Sequence, residues 1–355
     1  MRTTSEAPSP AGRRIEEILA QRPRRQALEG FEPIYSDIVD YILRCTHRIW
    51  EEKNVGLIDT HYGAACRLHT LAGPVIGVEA VKRNTLATMA AFPDRTLIGE
   101  DVIWSEDAPG LFYSSHRIAS LMTHLGDDAT FGLASGRRAL AHTIADCVCV
   151  ENRIVEEWLV RDNGWLARQL GRDIREIAQR QAAADRSADP LQHAWRTGEI
   201  ERVRSRPALA EGPDRPLAQT FAQAWRVAFD RLLIGDAAQM YAPAADIAWP
   251  TGRRAFGPRG FAGLAASLLA ALADVAFSVD HLAETALPEG ETATAVRWSL
   301  AGFHAGAGAW GAPTGRELFI LGVSHCRWRN GRILEERTIF DEIAVARQIA
   351  GGLGA

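Results

Sequence analysis

Lysine is almost missing from this 355-residue chain: of 40 basic residues only Lys53 and Lys82 are lysines, which leaves imine chemistry two candidates, both on expected helix surfaces. Cysteine is sparse as well. Cys45, Cys66, Cys147, Cys149 and Cys326 form no even framework for disulfides and no second pair at metal-binding spacing. No run of about 20 apolar residues occurs and the N-terminus carries no apolar leader core, so neither a membrane span nor a secretory signal is expected. HExxH, Walker and Gly-x-Ser-x-Gly motifs are missing too. A net charge of −4 supplies no basic field for nucleic acid or an anionic membrane. The expectation is a reduced, cytoplasmic protein whose partner is a small molecule.

What is present is a repeat. Ile154 to Asp162 (IVEEWLVRD) returns as Ile333 to Asp341 (ILEERTIFD). Counted back from each Asp, Gly136-Arg137 matches Gly315-Arg316 and Cys147 matches Cys326; just beyond it, Arg168-Gln169 matches Arg347-Gln348. With one residue of slack the match extends to Arg117…His124 and Arg297…His304. A length of 355 residues is too much for one ordinary core and suits two domains of about 150 residues with a connection. The expected division is a tail over 1–30 with a short helix near Ile15 to Gln21, a first domain over 31–184, a linker over 185–216 and a second domain over 217–352.

Within the first copy, Ile34, Ile38, Tyr41, Ile42, Cys45 and Ile49 recur at helical spacing. Gly77 opens a second amphipathic helix that Pro93 stops. Extended segments follow: Thr96 to Trp104, Leu111 to His124, Arg138 to Val150 and Arg153 to Arg161, then a closing helix from Trp165 to about Ala183. The second copy repeats the order, with helices Leu217 to Leu233 and Phe261 to Ala273 followed by four strands. Helices first and an antiparallel meander after them predict an α+β fold.

Two stretches carry a family resemblance: Trp298-Ser-Leu-Ala-Gly302-Phe-His304-Ala-Gly306 with Pro313-Thr-Gly315-Arg316, and Glu156-x-Trp158-x-x-x-Asp162 with Gln169-Leu-Gly171. Both repeats resemble the SnoaL-like polyketide cyclases of the nuclear transport factor 2-like superfamily. The resemblance implies two tandem cone-shaped domains, each with helices packed on a curved antiparallel sheet, an apolar interior, and no metal or organic cofactor. It also implies pairing of the two copies as an intrachain pseudo-dimer, with further homo-oligomerisation left open.

Strand parity puts Glu156, Trp158 and Asp162 on one face and Val155, Glu157, Leu159 and Arg161 on the other. A carboxylate beside an indole in a dry cone has its ionised form disfavoured, which suits it to proton transfer near neutrality. The expected catalytic residues are therefore Asp162, His124 and Glu156, with Asp341, His304 and Glu335 as weaker counterparts. Trp158, Trp298 and Arg337 are expected to contact ligand. Capping competes as an explanation, because Asp162 and Asp341 each precede a helix. His142 and Asp146 share a strand face as another candidate pair, while Tyr62 and Tyr241 read as core edge. The expected function is acid/base chemistry of the cyclase, isomerase or dehydratase kind on a carbonyl-bearing, largely apolar molecule; the alternative is a binding or scaffold protein with the same pocket.

Overall fold

The computed structural model describes residues 19–185, 190–206, 215–306 and 308–351, so most of the expected short helix at Ile15 to Gln21 lies outside the described residues. Asp37 opens the first helix, α1 (Ile38–Trp50), by accepting a hydrogen bond from the Asp40 backbone N–H at 2.8 Å, and the predicted stripe of Ile38, Ile42, Cys45 and Ile49 is buried. One short turn, α2 (Ile58–His61), then feeds β1 (Tyr62–Thr70), which folds back as β2 (Gly73–Ile76) before α3 (Val78–Ala91). Four strands follow, β3 (Ile98–Ala108), β4 (Leu111–Thr123), β5 (Arg138–Val150) and β6 (Arg153–Arg161). Spatially they run β2-β1-β6-β5-β4-β3.

The second repeat has the same plan. Helices α7 (Pro216–Arg231) and α8 (Ile234–Ala238) precede β7 (Tyr241–Trp249) and β8 (Arg253–Phe256), then α9 (Gly257–Leu269) and strands β9 (Leu272–Ala286), β10 (Thr292–His304), β11 (Glu317–Arg329) and β12 (Arg332–Phe340). Its sheet order, β8-β7-β12-β11-β10-β9, is the first order shifted by six. The fold is thus α+β in two tandem units.

Sequence pattern missed one hairpin in each copy. β1–β2 and β7–β8 are mixed in burial and rich in Ala, Gly and charge, so alternation is weak there. These hairpins make the sheets mixed, because β1 joins β6 and β7 joins β12 in parallel while the remaining pairings are antiparallel. The closing helix expected from Trp165 to Ala183 is also two helices, α4 (Asn163–Gln169) and α5 (Ile174–Asp185). Gly171 lies between them with φ +71°, a conformation that ends a helix cheaply only at glycine. A connecting helix, α6 (Pro190–Arg204), sits on the outer face of the second sheet, where Arg202 pairs with Asp280 at 2.7 Å and Arg204 with Glu317 at 2.5 Å. The chain described closes with α10 (Glu342–Ile349).

The repeats meet through the outer faces of their sheets. Trp104 and Thr285 exchange two hydrogen bonds between β3 and β9 at 3.1 and 3.2 Å, Ser115 bonds to His325 at 2.8 Å, and Asp146 is paired with Arg297 at 2.5 Å. Ile144 and Val160 join the hydrophobic cluster of the second repeat across this seam. Among the described residues no helix is long and apolar enough to cross a membrane.

Candidate functional site

Each cone interior is lined by one face of the sheet, and the two interiors differ. In the second repeat, Trp225 of α7 is fully buried and its ring lies within 4.7 to 6.1 Å of the rings of Phe221, Phe229, Trp249, Phe261, Phe277 and Trp298. Trp298 donates from Nε1 to Ser324 at 3.0 Å, and its ring lies over Gly322, where any Cβ would collide with it. Aromatic rings fill this cone. Register places Ile118 and Thr143 of the first repeat where the second has Trp298 and Gly322, and Thr46 of α1 also lines the first interior. The smaller side chains leave a cavity of about 90 Å³ in the first cone.

Trp298, expected to contact ligand, is therefore core. Trp298→Ala is predicted to destabilise the protein by about 3–5 kcal/mol, with ligand affinity per folded molecule at the first cone unchanged; chemical denaturation and calorimetric titration check the two halves of that statement.

The first cavity is lined by Tyr62, His116, Glu157, Arg95 and Arg161 among apolar neighbours, with Asn84 exposed at its rim. Glu157 is 6% exposed and accepts one hydrogen bond, from Tyr62 Oη at 3.2 Å. Burial raises its carboxyl to about 7, against the lowering effect of that bond and of Arg161. The counterpart in the filled cone, Glu336, accepts from Tyr241 Oη, from Trp249 Nε1 at 2.7 Å and from Thr338 Oγ1 at 2.6 Å. Three donors satisfy Glu336 as structure, whereas Glu157 keeps acceptor capacity beside open space. Burial lowers His116 to about 3, so its ring is neutral, and Nε2 has no hydrogen-bond partner.

The structure moves the expected catalytic set out of this cavity. Glu156 and Trp158 do share a face apart from Glu157, Leu159 and Arg161, although a bulge at Val155 turns Ile154 to the cavity side. The face of Glu156 and Trp158 is the outer one: Glu156 bonds His69 at 2.8 Å, and Trp158 is stacked on His69 on one side and lies 3.4 Å from the Arg297 guanidinium. The interior belongs to Glu157, Leu159 and Arg161. Asp162 caps α4 through the Trp165 N–H at 3.0 Å and accepts the Thr251 N–H with both oxygens at 3.0 and 2.9 Å. Asp341 caps α10 and accepts from Asn163 Nδ2 at 2.6 Å. Both are pushed up by burial, Asp162 to about 7 and Asp341 to about 6.

His124 and His304 are equally structural. Each is fully buried and its Nδ1 contacts a loop hydroxyl, Ser135 at 3.2 Å and Thr314 at 3.1 Å. Burial lowers the pKa of both rings, with no carboxylate bonded to either. Glu335 and Arg337 lie on the outer side: Arg337 pairs with Asp246 at 2.7 Å and with Glu335 at 3.2 Å. His142 and Asp146 do not form a pair, since Asp146 is held by Arg297 and His142 faces Glu100 at 3.9 Å. Asp162, His142, Arg117 and Arg337 instead line a second pocket of about 270 Å³ between the repeats.

Sequence reasoning set Glu157 on the face away from the expected site and read Tyr62 as core edge. The signal was available: both recur, as Glu336 and Tyr241, and Tyr–Glu contact recurs with them. Among the described residues no group of three or more His, Cys, Asp and Glu is arranged to hold a metal ion.

Residues 219–349 match the family described as SnoaL-like polyketide cyclase. No curated protein matches the chain. Similar solved structures include TsrD from Streptomyces laurentii, 20% identical over 38% of this chain and 94% of its own, with a TM-score of 0.33. IdmH from Streptomyces antibioticus is 24% identical over 38% of this chain and 99% of its own, with a TM-score of 0.32. A hexachlorocyclohexane dehydrochlorinase, LinA type 2, is 14% identical over 40% and 88%, with a TM-score of 0.31. The second repeat, whose cone is filled, is thus the part of the chain that matches the SnoaL-like polyketide cyclase family, and the first repeat carries the same strand order around an open cavity.

Proposed function

We propose that the first repeat performs cofactor-independent acid/base chemistry of the cyclase, isomerase or dehydratase kind on a small carbonyl compound, with Glu157 moving the proton. One observation carries this: a buried carboxyl at about 7, bonded to a single donor, faces unfilled space. A general base is most useful when its pKa lies near the working pH. The Glu157 carboxylate would take a proton from the carbon next to the substrate carbonyl. The electron pair of that C–H bond moves to the carbonyl oxygen as an enolate, and the carboxylic acid then returns the proton to carbon or to a leaving oxygen. Tyr62, whose pKa burial raises, stays protonated and holds the carboxylate in place. The neutral His116 ring, bonded to no other group, is the available partner for the developing enolate oxygen.

A second reading places the chemistry at Asp162, favoured by its carboxyl at about 7 and by the pocket beside it. Three backbone N–H contacts on its two oxygens speak against it, since a base so occupied has little room for a substrate proton. Hydrogen–deuterium exchange at the carbons flanking the ketone of 4-oxopentanoate and its methyl ester, followed by proton NMR in D2O, tests both. Exchange above buffer that survives Asp162→Asn and is lost in Glu157→Gln is the expected result. The reverse pattern moves the site to Asp162, and no exchange above buffer with either ketone leaves the binding function alone.

A further inference from the structure

We propose that the first cone holds its ligand by a carboxylate group seated between Arg95 and Arg161, so that the substrate is a small carbonyl-bearing acid. This rests on the reading that the first cone is the working site. Arg161 is the last residue of β6 on the inner face, and its guanidinium makes no hydrogen bond or ion pair; Nε is sealed from water without a partner. Arg95 donates from Nε to Ser120 Oγ at 3.1 Å and lies 4.7 Å over the Trp50 ring, but pairs with no carboxylate.

Other half-buried or buried arginines are matched directly to acids, as Arg297 is to Asp146 and Arg337 to Asp246. Among the described residues neither Arg95 nor Arg161 bonds to a carboxylate, and both face one cavity. A charge removed from water and left unpaired is costly, and each of these two also repels the other. A guanidinium keeps its proton in proteins, so both are cations at neutral pH. The titratable groups lining the cavity offer little compensation: His116 is neutral, Tyr62, Cys45 and Cys147 are held protonated by burial, and Glu157 is only partly ionised near pH 7. Asp341 and Asp128 act on Arg161 across space without bonding to it, and burial outweighs their pull.

Comparison of the copies points the same way. In strand register, Phe340 occupies the place of Arg161 in the cone that aromatic rings fill. The Arg161 cation thus accompanies the cavity. A planar carboxylate is matched by the fork of donors on a guanidinium. The cavity of about 90 Å³ corresponds to about six to nine water-sized spaces, which suits a short-chain acid.

Calorimetric titration of the full chain with 4-oxopentanoate, its methyl ester and inorganic phosphate tests the inference without requiring turnover. The acid is expected to bind at least about tenfold more tightly than the ester. Arg161→Met and Arg95→Met should each weaken acid binding by about 10- to 100-fold while leaving the ester unchanged. Methionine suits position 161 because Phe340 shows that an apolar side chain is accommodated there, and circular dichroism checks the folding of both variants. Acid affinity should fall as pH rises through 7, where Glu157 gains charge, and Glu157→Gln should erase that step. Equal affinity for acid and ester, undiminished acid binding by folded Arg161→Met, preference for phosphate over the carboxylate, or no binding of any probe would each overturn it. Acid binding without proton exchange would leave this inference standing and remove the acid/base reading instead.

Discussion

Glu157→Gln is expected to lower turnover on a small keto acid by about 10²–10⁴-fold, the range that a positioned acid/base group contributes. Glutamine keeps the shape and still accepts the hydrogen bond from Tyr62, so the loss should fall on the rate more than on KM. In the wild-type protein kcat/KM should rise with pH to a limb near 7, set by ionisation of Glu157, and the residual rate of the variant should lack that limb. Stability supplies an independent readout. Because the folded-state carboxyl sits at about 7, above the ordinary 4.5, the folded protein holds a proton that the unfolded chain has released between those values. The wild type therefore loses stability relative to Glu157→Gln as pH rises from about 4.5 to 7, by about 1.4 kcal/mol per pH unit at the steepest. Paired thermal melts measure this as a widening gap in Tm; a constant gap would show that Glu157 titrates normally, and full turnover in the variant would remove it from the mechanism.

Arg297→Met is expected to cost about 3–5 kcal/mol, the largest single effect on stability at the seam between repeats. Arg297 and Asp146 are 4% and 2% exposed as side chains and lie 2.5 Å apart, and Asp146 Oδ1 has no other partner. Removing the cation leaves a buried carboxylate without compensation and strips Trp158 of the guanidinium at 3.4 Å. Replacing both, as Arg297→Met with Asp146→Leu, should recover most of the loss, because a buried ion pair contributes little net over apolar residues of similar volume. Lys82→Met is the control: its partners Asp59 and Glu79 are exposed, so solvent screens the pairs and little stability rests on them. Denaturation midpoints for the four proteins test this, and a loss from Arg297→Met no greater than that from Lys82→Met would show the seam to be held by other contacts.

The sequence alone determined the duplication and most of each sheet, for a physical reason. Strands such as Leu111–Thr123 and Thr292–His304 are long and rich in β-branched and aromatic residues, and the offsets between copies hold because equivalent backbone bonds need equivalent positions. Gln169 shows it in detail: its amide brackets the backbone of Leu140, as the Gln348 amide brackets that of Phe319. Parity also separated Glu156 and Trp158 from Glu157, Leu159 and Arg161, but it put Ile154 and Val155 on the wrong sides because a bulge at Val155 breaks the alternation.

Only the tertiary structure decided which set faces inward. Both faces of Arg153–Arg161 mix carboxylates with apolar groups, because one closes a cavity and the other meets a second sheet, so hydrophobic alternation carries no sign there. The same ambiguity hid the difference between the copies. Trp298 in a strand reads equally as pocket wall or core, and it becomes core because Gly322, distant in sequence, leaves room for its ring while Trp225 meets it from a helix. Ile118, Thr143 and Thr46 leave the equivalent space open in the first repeat, and no local pattern could show it, since a cavity is a property of three elements meeting.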